Sequence, residues 1–459
     1  MNTDTIAAIA TGLSPSGIGI IRVSGEDAFN IASSCFRKIN GDSIKKYENH
    51  KFYYGYVYED DSILDEAIML IFKGPNSFTG DDVVEFQCHG GILVMNKILK
   101  LCIKLGARPA EPGEFSKRAF LNGKIDLSKA EAIMNLISSK NEYALNNSIK
   151  HISGKLRDKI TDIREKILYE IAYIESALDD PEHYDLTDYP VKLSDKLLVI
   201  LKELENLSAS FDDGRIITEG VNTVILGKPN VGKSSLLNIL AGSQRAIVTE
   251  VAGTTRDIIE ENINIGGVYL HVFDTAGIRN SEDIVEQIGI KKALDIAEDA
   301  DFIILVIDSS KSLSDEDEEI LSFVKRNNKK CVILLNKSDL DSVIGIDEIS
   351  MYTNNPVMCI SAKDESGIDE LKKYIIDEYS KGYLKYNDEI FISNVRQRDA
   401  LNNAIEALLC VAKSIKEGMP EDFYSIDLTA SYDHLGNIIG EQMDEDVVNE
   451  IFGKFCMGK

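Results

Sequence analysis

The residues with the clearest chemistry lie between positions 227 and 363. Gly227-Lys-Pro-Asn-Val-Gly232-Lys233-Ser234 fits the spacing GxxxxGK[ST]. It follows the apolar run NTVILG and precedes the helical stretch SSLLNILAG, the strand–loop–helix context that a phosphate loop requires. The glycines let the loop wrap an anion so that its N–H groups point inward. Lys233 is expected to reach the β and γ phosphates, and Ser234 to bind magnesium. Asn230, Val231 and Gly232 complete the loop, and Ser235 extends it into the helix.

A second set of residues reads a base. Asn336-Lys337-Ser338-Asp339 follows the apolar run CVILL. A carboxylate at Asp339 can accept two hydrogen bonds from the N1–H and exocyclic amine of guanine, a donor pair that adenine lacks. Ser361-Ala362-Lys363 follows VMCI and supplies the second base loop. Between phosphate and base loops, Asp274-Thr275-Ala276-Gly277 ends a predicted strand. Asp274 is expected in the magnesium shell and the Gly277 N–H at the γ phosphate. Thr255, in Gly253-Thr254-Thr255-Arg256-Asp257, is the expected switch threonine on magnesium. Together these motifs predict a translation-factor-like GTPase.

One position departs from the common pattern. Ras-type enzymes carry a water-orienting glutamine directly after DxxG. Ile278 stands there and cannot do that work. Asn230 and the segment 249–255 are rich in oxygen ligands, so a monovalent cation held there could replace an arginine finger. Arg256 and Arg279 are rival fingers in cis, with a switch-stabilising salt bridge as the plainer reading of each.

These loops need elements to position them. Residues 219–380 alternate apolar strands (NTVILG, YLHVFDTAG, ADFIILVID, KCVILLNK, VMCISAK) with helical stretches, the pattern of a doubly wound α/β domain. The acidic cluster at 315–319 reads as a solvated loop or helix start. Before this block, 121–218 is helical. Leu156, Ile160, Ile163, Ile167, Ile171 and Ile174 recur at helical spacing, and Asp180-Pro181 ends that run. A second amphipathic stretch is expected to end at Gly214. After 381 the chain is helical again, so the α/β block is predicted to be inserted in a helical bundle whose halves are 121–218 and 381–459. Residues 1–120 mix short strands with a helix at ILVMNKILKLCIKLG, and the segment 107–126 is broken by Pro and Gly.

Composition narrows the function classes. Of 459 residues, 50 are Lys or Arg and 76 are Asp or Glu, a formal charge of −26. That argues against coating nucleic acid by bulk attraction. Residues 219–380 alone carry −13, whereas 1–120 carry only −2. Seven scattered cysteines without a CxxC pair fit reduced thiols in a cytoplasm. No signal peptide is read at MNTDTIAAIATG, and the aliphatic runs are too short for a bilayer span.

Further motifs carry a resemblance. GPNSFTGDDVVEFQCHGG (74–91), RPAEPGEFSKRAFLNGKIDLSKAEAI (108–133) and the last five residues, Phe455-Cys456-Met457-Gly458-Lys459, together with the GTPase motifs, resemble the MnmE (TrmE) family of tRNA-modification GTPases along essentially the whole chain. The resemblance implies an N-terminal α+β folate-binding and dimerisation domain over 1–120, a helical domain over 121–218 and 381–459, and a Ras-like GTPase domain over 219–380. It implies a homodimer that works with the flavoprotein MnmG (GidA), in a heterotetramer or larger complex, on carbon 5 of the tRNA wobble uridine. The added group is aminomethyl or carboxymethylaminomethyl, with 5-formyltetrahydrofolate or a related tetrahydrofolate as cofactor. The tRNA would be bound mainly with the partner.

Carried over by position, Asn230, Thr249, Val251 (through its carbonyl) and Thr254 would ligate potassium, and Ser234 and Thr255 magnesium. Glu250, Ala252 and Gly253 would line the same nucleotide pocket, as would Thr275 and Ala276. Glu286 matches the carboxylate that orients water, and Glu282 is its nearest competitor. Arg22, Glu85, Lys124 and Lys459 would contact folate, and Cys456 would be the functional cysteine. Read without the resemblance, Glu286 is a solvated helix carboxylate, Arg22 and Lys124 are surface charges, and Cys456 is a thiol in an exposed tail. Two stretches depart from the family pattern. Met457 replaces a β-branched residue or leucine, and LDDPEHYDL (178–186) matches only loosely. An Era- or Der-type ribosome-assembly GTPase shares the nucleotide motifs. It usually adds a basic RNA-binding module or a second GTPase domain, and neither is read in this sequence.

Overall fold

A computed structural model describes residues 4–44, 47–184, 186–242, 259–274, 294–327, 329–385, 390–441 and 443–458. The chain forms two compact units. One comprises Met1–Ile137, Ile149–Lys202 and Asp399–Lys459, the other Ser138–Ser148 and Glu203–Arg398.

The first unit contains a seven-stranded sheet of β1 (Ile6–Ile9), β2 (Ser16–Ser24), β3 (Phe36–Lys38), β4 (Lys51–Glu59), β5 (Ser62–Phe72), β6 (Val83–Gly90) and β7 (Arg108–Pro109). Its order is β3-β4-β5-β6-β2-β1-β7, antiparallel except where β7 joins β1. Alternation sorts the side chains. Ile21, Val23, Val84, Phe86, Met69 and Ile71 face a core shared with helices Ala28–Cys35 and Ile92–Lys104. Burying each such side chain contributes about 1.5–3 kcal/mol. The residues between them, Arg22 on β2 and Glu85 on β6, fall on the other face and are paired in register. There, helix Glu114–Leu121 brings Phe115 into a small cluster with Ile6 and Ala8. The Pro- and Gly-rich segment is therefore less irregular than expected: its breakers punctuate a helix rather than prevent one.

The helical part of this unit includes Lys155–Asp179, which buries the six apolar residues that its spacing predicts. The same face also buries two charges that the spacing did not single out. Arg164 pairs with Glu441 at 2.7 Å and lies 4.0 Å from the Tyr432 ring centre on helix Glu421–Ile439. Glu170 accepts from Lys196 at 2.5 Å and from the Tyr189 hydroxyl at 3.1 Å. Buried charges persist only when paired in this way.

The second unit is a doubly wound α/β fold. Its sheet comprises β8 (Val221–Leu226), β9 (Ile259–Ile265), β10 (Val268–Asp274), β11 (Phe302–Asp308), β12 (Lys330–Asn336) and β13 (Val357–Cys359). The order β13-β12-β11-β8-β10-β9 is parallel except for the edge strand β9, the Ras-like arrangement. Fully buried runs such as FIILVID on β11 reflect a sheet covered on both faces. Strand order turns back at β8, so the loop after β8 sits where such sheets bind ligands.

Gly214 does not end a helix, contrary to the sequence reading. It lies inside Phe211–Glu219. A Cβ there would stand 2.1 Å from the Ile392 carbonyl oxygen, so glycine is required by the close approach of another backbone segment. Among the described residues, no helix is long and apolar enough to cross a membrane.

Candidate functional site

The loop between β8 and helix Lys233–Gly242 takes three left-handed conformations, at Gly227 (φ 137°), Asn230 (φ 63°) and Gly232 (φ 106°). Two of these positions exclude any side chain. A Cβ on Gly227 would meet the Val306 carbonyl oxygen at 2.2 Å, and one on Gly232 would meet Asn336 Nδ2 at 2.1 Å. The loop leads into the N-terminus of the helix, where free N–H groups and the helix dipole favour an anion. Val231 anchors the loop in the core, while Asn230, Ser234 and Ser235 are exposed. The Lys233 ammonium donates to the carbonyl oxygens of Gly227 and, at 2.7 Å, Lys228.

Asn336, at the end of β12, ties the phosphate loop to the base loops. Its buried amide donates to the Val231 carbonyl at 2.7 Å and accepts from the Ala362 N–H at 2.9 Å. One side chain therefore fixes the distance between two loops 131 positions apart, counting from Val231 to Ala362. Lys337 adopts a left-handed conformation (φ 67°), and its ammonium meets Asp308 at 2.6 Å. Burial opposes ionisation of Asp308. The Lys337 ammonium and the hydroxyl and N–H of Ser310 overcome it and hold the carboxyl below its ordinary range.

Asp339 is set up as an acceptor. Ser361 donates its hydroxyl to Asp339 Oδ1 at 2.8 Å, and Lys363 stands 3.8 Å from Oδ2. The Ser361 hydrogen bond, chiefly, lowers the Asp339 pKa, so the group is an anion at neutral pH. An ionised carboxylate accepts only, which suits the two N–H donors of a guanine edge.

Of the remaining nucleotide residues expected from sequence, only the backbone of Asp274, closing β10, is described. Thr249, Glu250, Val251, Ala252, Gly253, Thr254, Thr255, Thr275, Ala276, Gly277 and Glu286 lie outside the described residues. So do Arg256, Ile278, Arg279, Glu282 and Lys459.

In the other unit, Arg22 and Glu85 meet directly, at 2.7 Å between Nε and Oε1. The Arg22 guanidinium also lies 5.5 Å from the Phe115 ring centre and 5.8 Å from that of Phe78. It donates to the Gly458 carbonyl at 3.4 Å. Cys456 and Gly458 are thus drawn against this part of the unit. Gly113 N–H donates to the Cys456 carbonyl at 3.3 Å, and a Cβ on Gly458 (φ 83°) would meet the Ile9 carbonyl oxygen at 2.2 Å. Cys456 itself is exposed, and Lys124 is exposed just beyond helix Glu114–Leu121. Phe78 and Phe115 fall within the two stretches that carry the resemblance, but nothing local marks either as a partner of Arg22. Nor does anything in the sequence mark Asp308, because at the end of an apolar strand it looks like a turn residue.

Comparison with known proteins accounts for both units. Residues 5–124 match the family described as GTP-binding protein TrmE N-terminus, and residues 127–456 match the MnmE helical domain. The tRNA modification GTPase MnmE of Lachnoclostridium phytofermentans is 50% identical over 100% of both chains. The proteins of the same description from Clostridioides difficile and Acetivibrio thermocellus are 43% and 46% identical over 99% of both. With the family model for the helical domain spanning most of the chain, and identity of this order over its whole length, the chain belongs to the MnmE family.

Proposed function

We propose that the chain hydrolyses GTP in the service of tRNA modification, acting with an MnmG-type flavoprotein on carbon 5 of the wobble uridine. The observation that carries this reading is the Asn336 bridge, which holds a phosphate loop and a guanine-reading carboxylate in one rigid frame in a member of the MnmE family. In the complex, loop N–H groups and Lys233 bind the β and γ phosphates, and Asp339 pairs with the guanine edge. Glu286 orients the attacking water, a role that Ile278 cannot fill.

The exposed Asn230 and Ser234 offer amide and hydroxyl oxygens, the hard donors that magnesium and potassium take. Ser234, Thr255 and Asp274 would hold magnesium. Asn230, Thr249, Val251 and Thr254 would hold potassium. When bound, the two cations neutralise phosphate charge. The Arg22–Glu85 pair, flanked by two aromatic rings and a backbone carbonyl, has the mixed polar and aromatic lining that a 5-formyltetrahydrofolate or related pterin requires. Lys124 and Lys459 would act near its glutamate tail, and Cys456 stands in the adjoining chain end. The protein would work in the cytoplasm as a homodimer.

Nucleoside analysis of tRNA from cells lacking this protein tests the assignment. Loss of the carbon-5 modification is expected, and its retention on the wobble uridine would overturn the assignment.

A further inference from the structure

Lys228 is the first variable residue of the phosphate loop, yet its ammonium is bound by residues of a separate helix and the turn before it. It lies 2.5 Å from Asp317 Oδ2 and donates to Ser314 Oγ at 2.9 Å. Asp317 is 2% exposed and sits in the first turn of helix Asp315–Asn327. The same oxygen accepts the Ser314 N–H and the Ser314 hydroxyl, both at 3.0 Å. Ammonium, hydroxyl and carboxylate therefore close a triangle in which the hydroxyl both accepts and donates. At its other end, Lys228 offers its carbonyl to the Lys233 ammonium at 2.7 Å.

We propose that Asp317 is a positioning residue of the nucleotide site: by holding the Lys228 side chain, it sets the Lys228 carbonyl that orients Lys233 toward the phosphates. Four of the five residues at 315–319 can be exchanged for other polar groups without touching this link, because only Asp317 is buried. The proposal rests on the reading of the loop as a GTP site.

The test uses the full chain and a fluorescent GDP or non-hydrolysable GTP analogue, with turnover and thermal melting measured in parallel. Asp317→Asn and Lys228→Met should each weaken nucleotide binding about tenfold and raise KM more than they lower kcat. The double variant should also lose about tenfold, since the two residues act through one link. A role confined to stability would lower the melting temperature and leave KM below that temperature unchanged. Should Asp317→Asn not fold, Lys228→Met and Ser314→Ala carry the test, with Ser314→Ala the milder. Multiplying losses of about a hundredfold in the double variant, or unchanged affinity in the single variants, would overturn the role. Failure of the unmodified chain to bind GTP would instead overturn the proposed function.

Discussion

The nucleotide loops and the cluster around Arg22 use their chain in opposite ways. In the nucleotide site the phosphate loop and the two base loops are short contiguous motifs after the parallel strands β8, β12 and β13. In the Arg22 cluster the parts are single side chains and carbonyls, with Arg22 and Gly458 separated by 436 positions. The first kind of site is constrained by loop conformation, as the tight glycines 227 and 232 show. The second is constrained by strand register and by where Gly458 lies.

That contrast predicts independent failure of the two sites. Asp339→Asn should reduce GTP affinity by roughly a thousandfold, since it leaves a guanine donor unpaired. Folate affinity, read by titration, should not change; a parallel loss would show that the two sites are coupled. Exchange of potassium for sodium should slow GTP turnover by about a hundredfold, the range seen when one preorganised charge is removed from a transition state. Equal rates in the two salts would remove the cation from the mechanism and leave Arg256 or Arg279 as the source of charge.

Glu286→Ala should lower kcat about thirtyfold with GTP affinity kept, because water orientation matters mainly in the transition state. Loss of affinity at normal turnover would assign it to binding instead. Arg22→Ala should weaken 5-formyltetrahydrofolate binding about tenfold, the scale of one charged hydrogen bond, with GTP kinetics intact. Gly458→Ala should have the smallest effect, about threefold on folate, by pushing the chain end away from Ile9. Equal folate affinity in this variant would mean that the chain end does not shape the pocket.

Legibility followed the same division. Lys233, Ser234 and Asp339 could be picked out because backbone geometry and guanine chemistry demand those residue types in those local orders. The six buried residues of Lys155–Asp179 were legible because helical period alone sorts them. Arg22 and Glu85 entered only through family resemblance, since no local pattern marks a charge on one face of a strand as functional. Their neighbours Phe78 and Phe115 fall inside the stretches that carry the resemblance, yet no local pattern ties either to Arg22. Gly214 was misread as a stop, because a glycine required by a distant backbone looks like one required by its own turn. Asp317 was hidden among four acidic neighbours, and only burial distinguishes it.

Sequence by itself determined the elements and the local loops, which depend on period, on left-handed turns and on the hydrogen-bonding capacity of individual side chains. Tertiary structure decided which side chains meet: Asn336 with Val231 and Ala362, Lys228 with Asp317, and Arg22 with Glu85 and Gly458. Such meetings depend on sheet order, strand register and burial. Those are set by the packing of the whole unit, and no short stretch of chain encodes them.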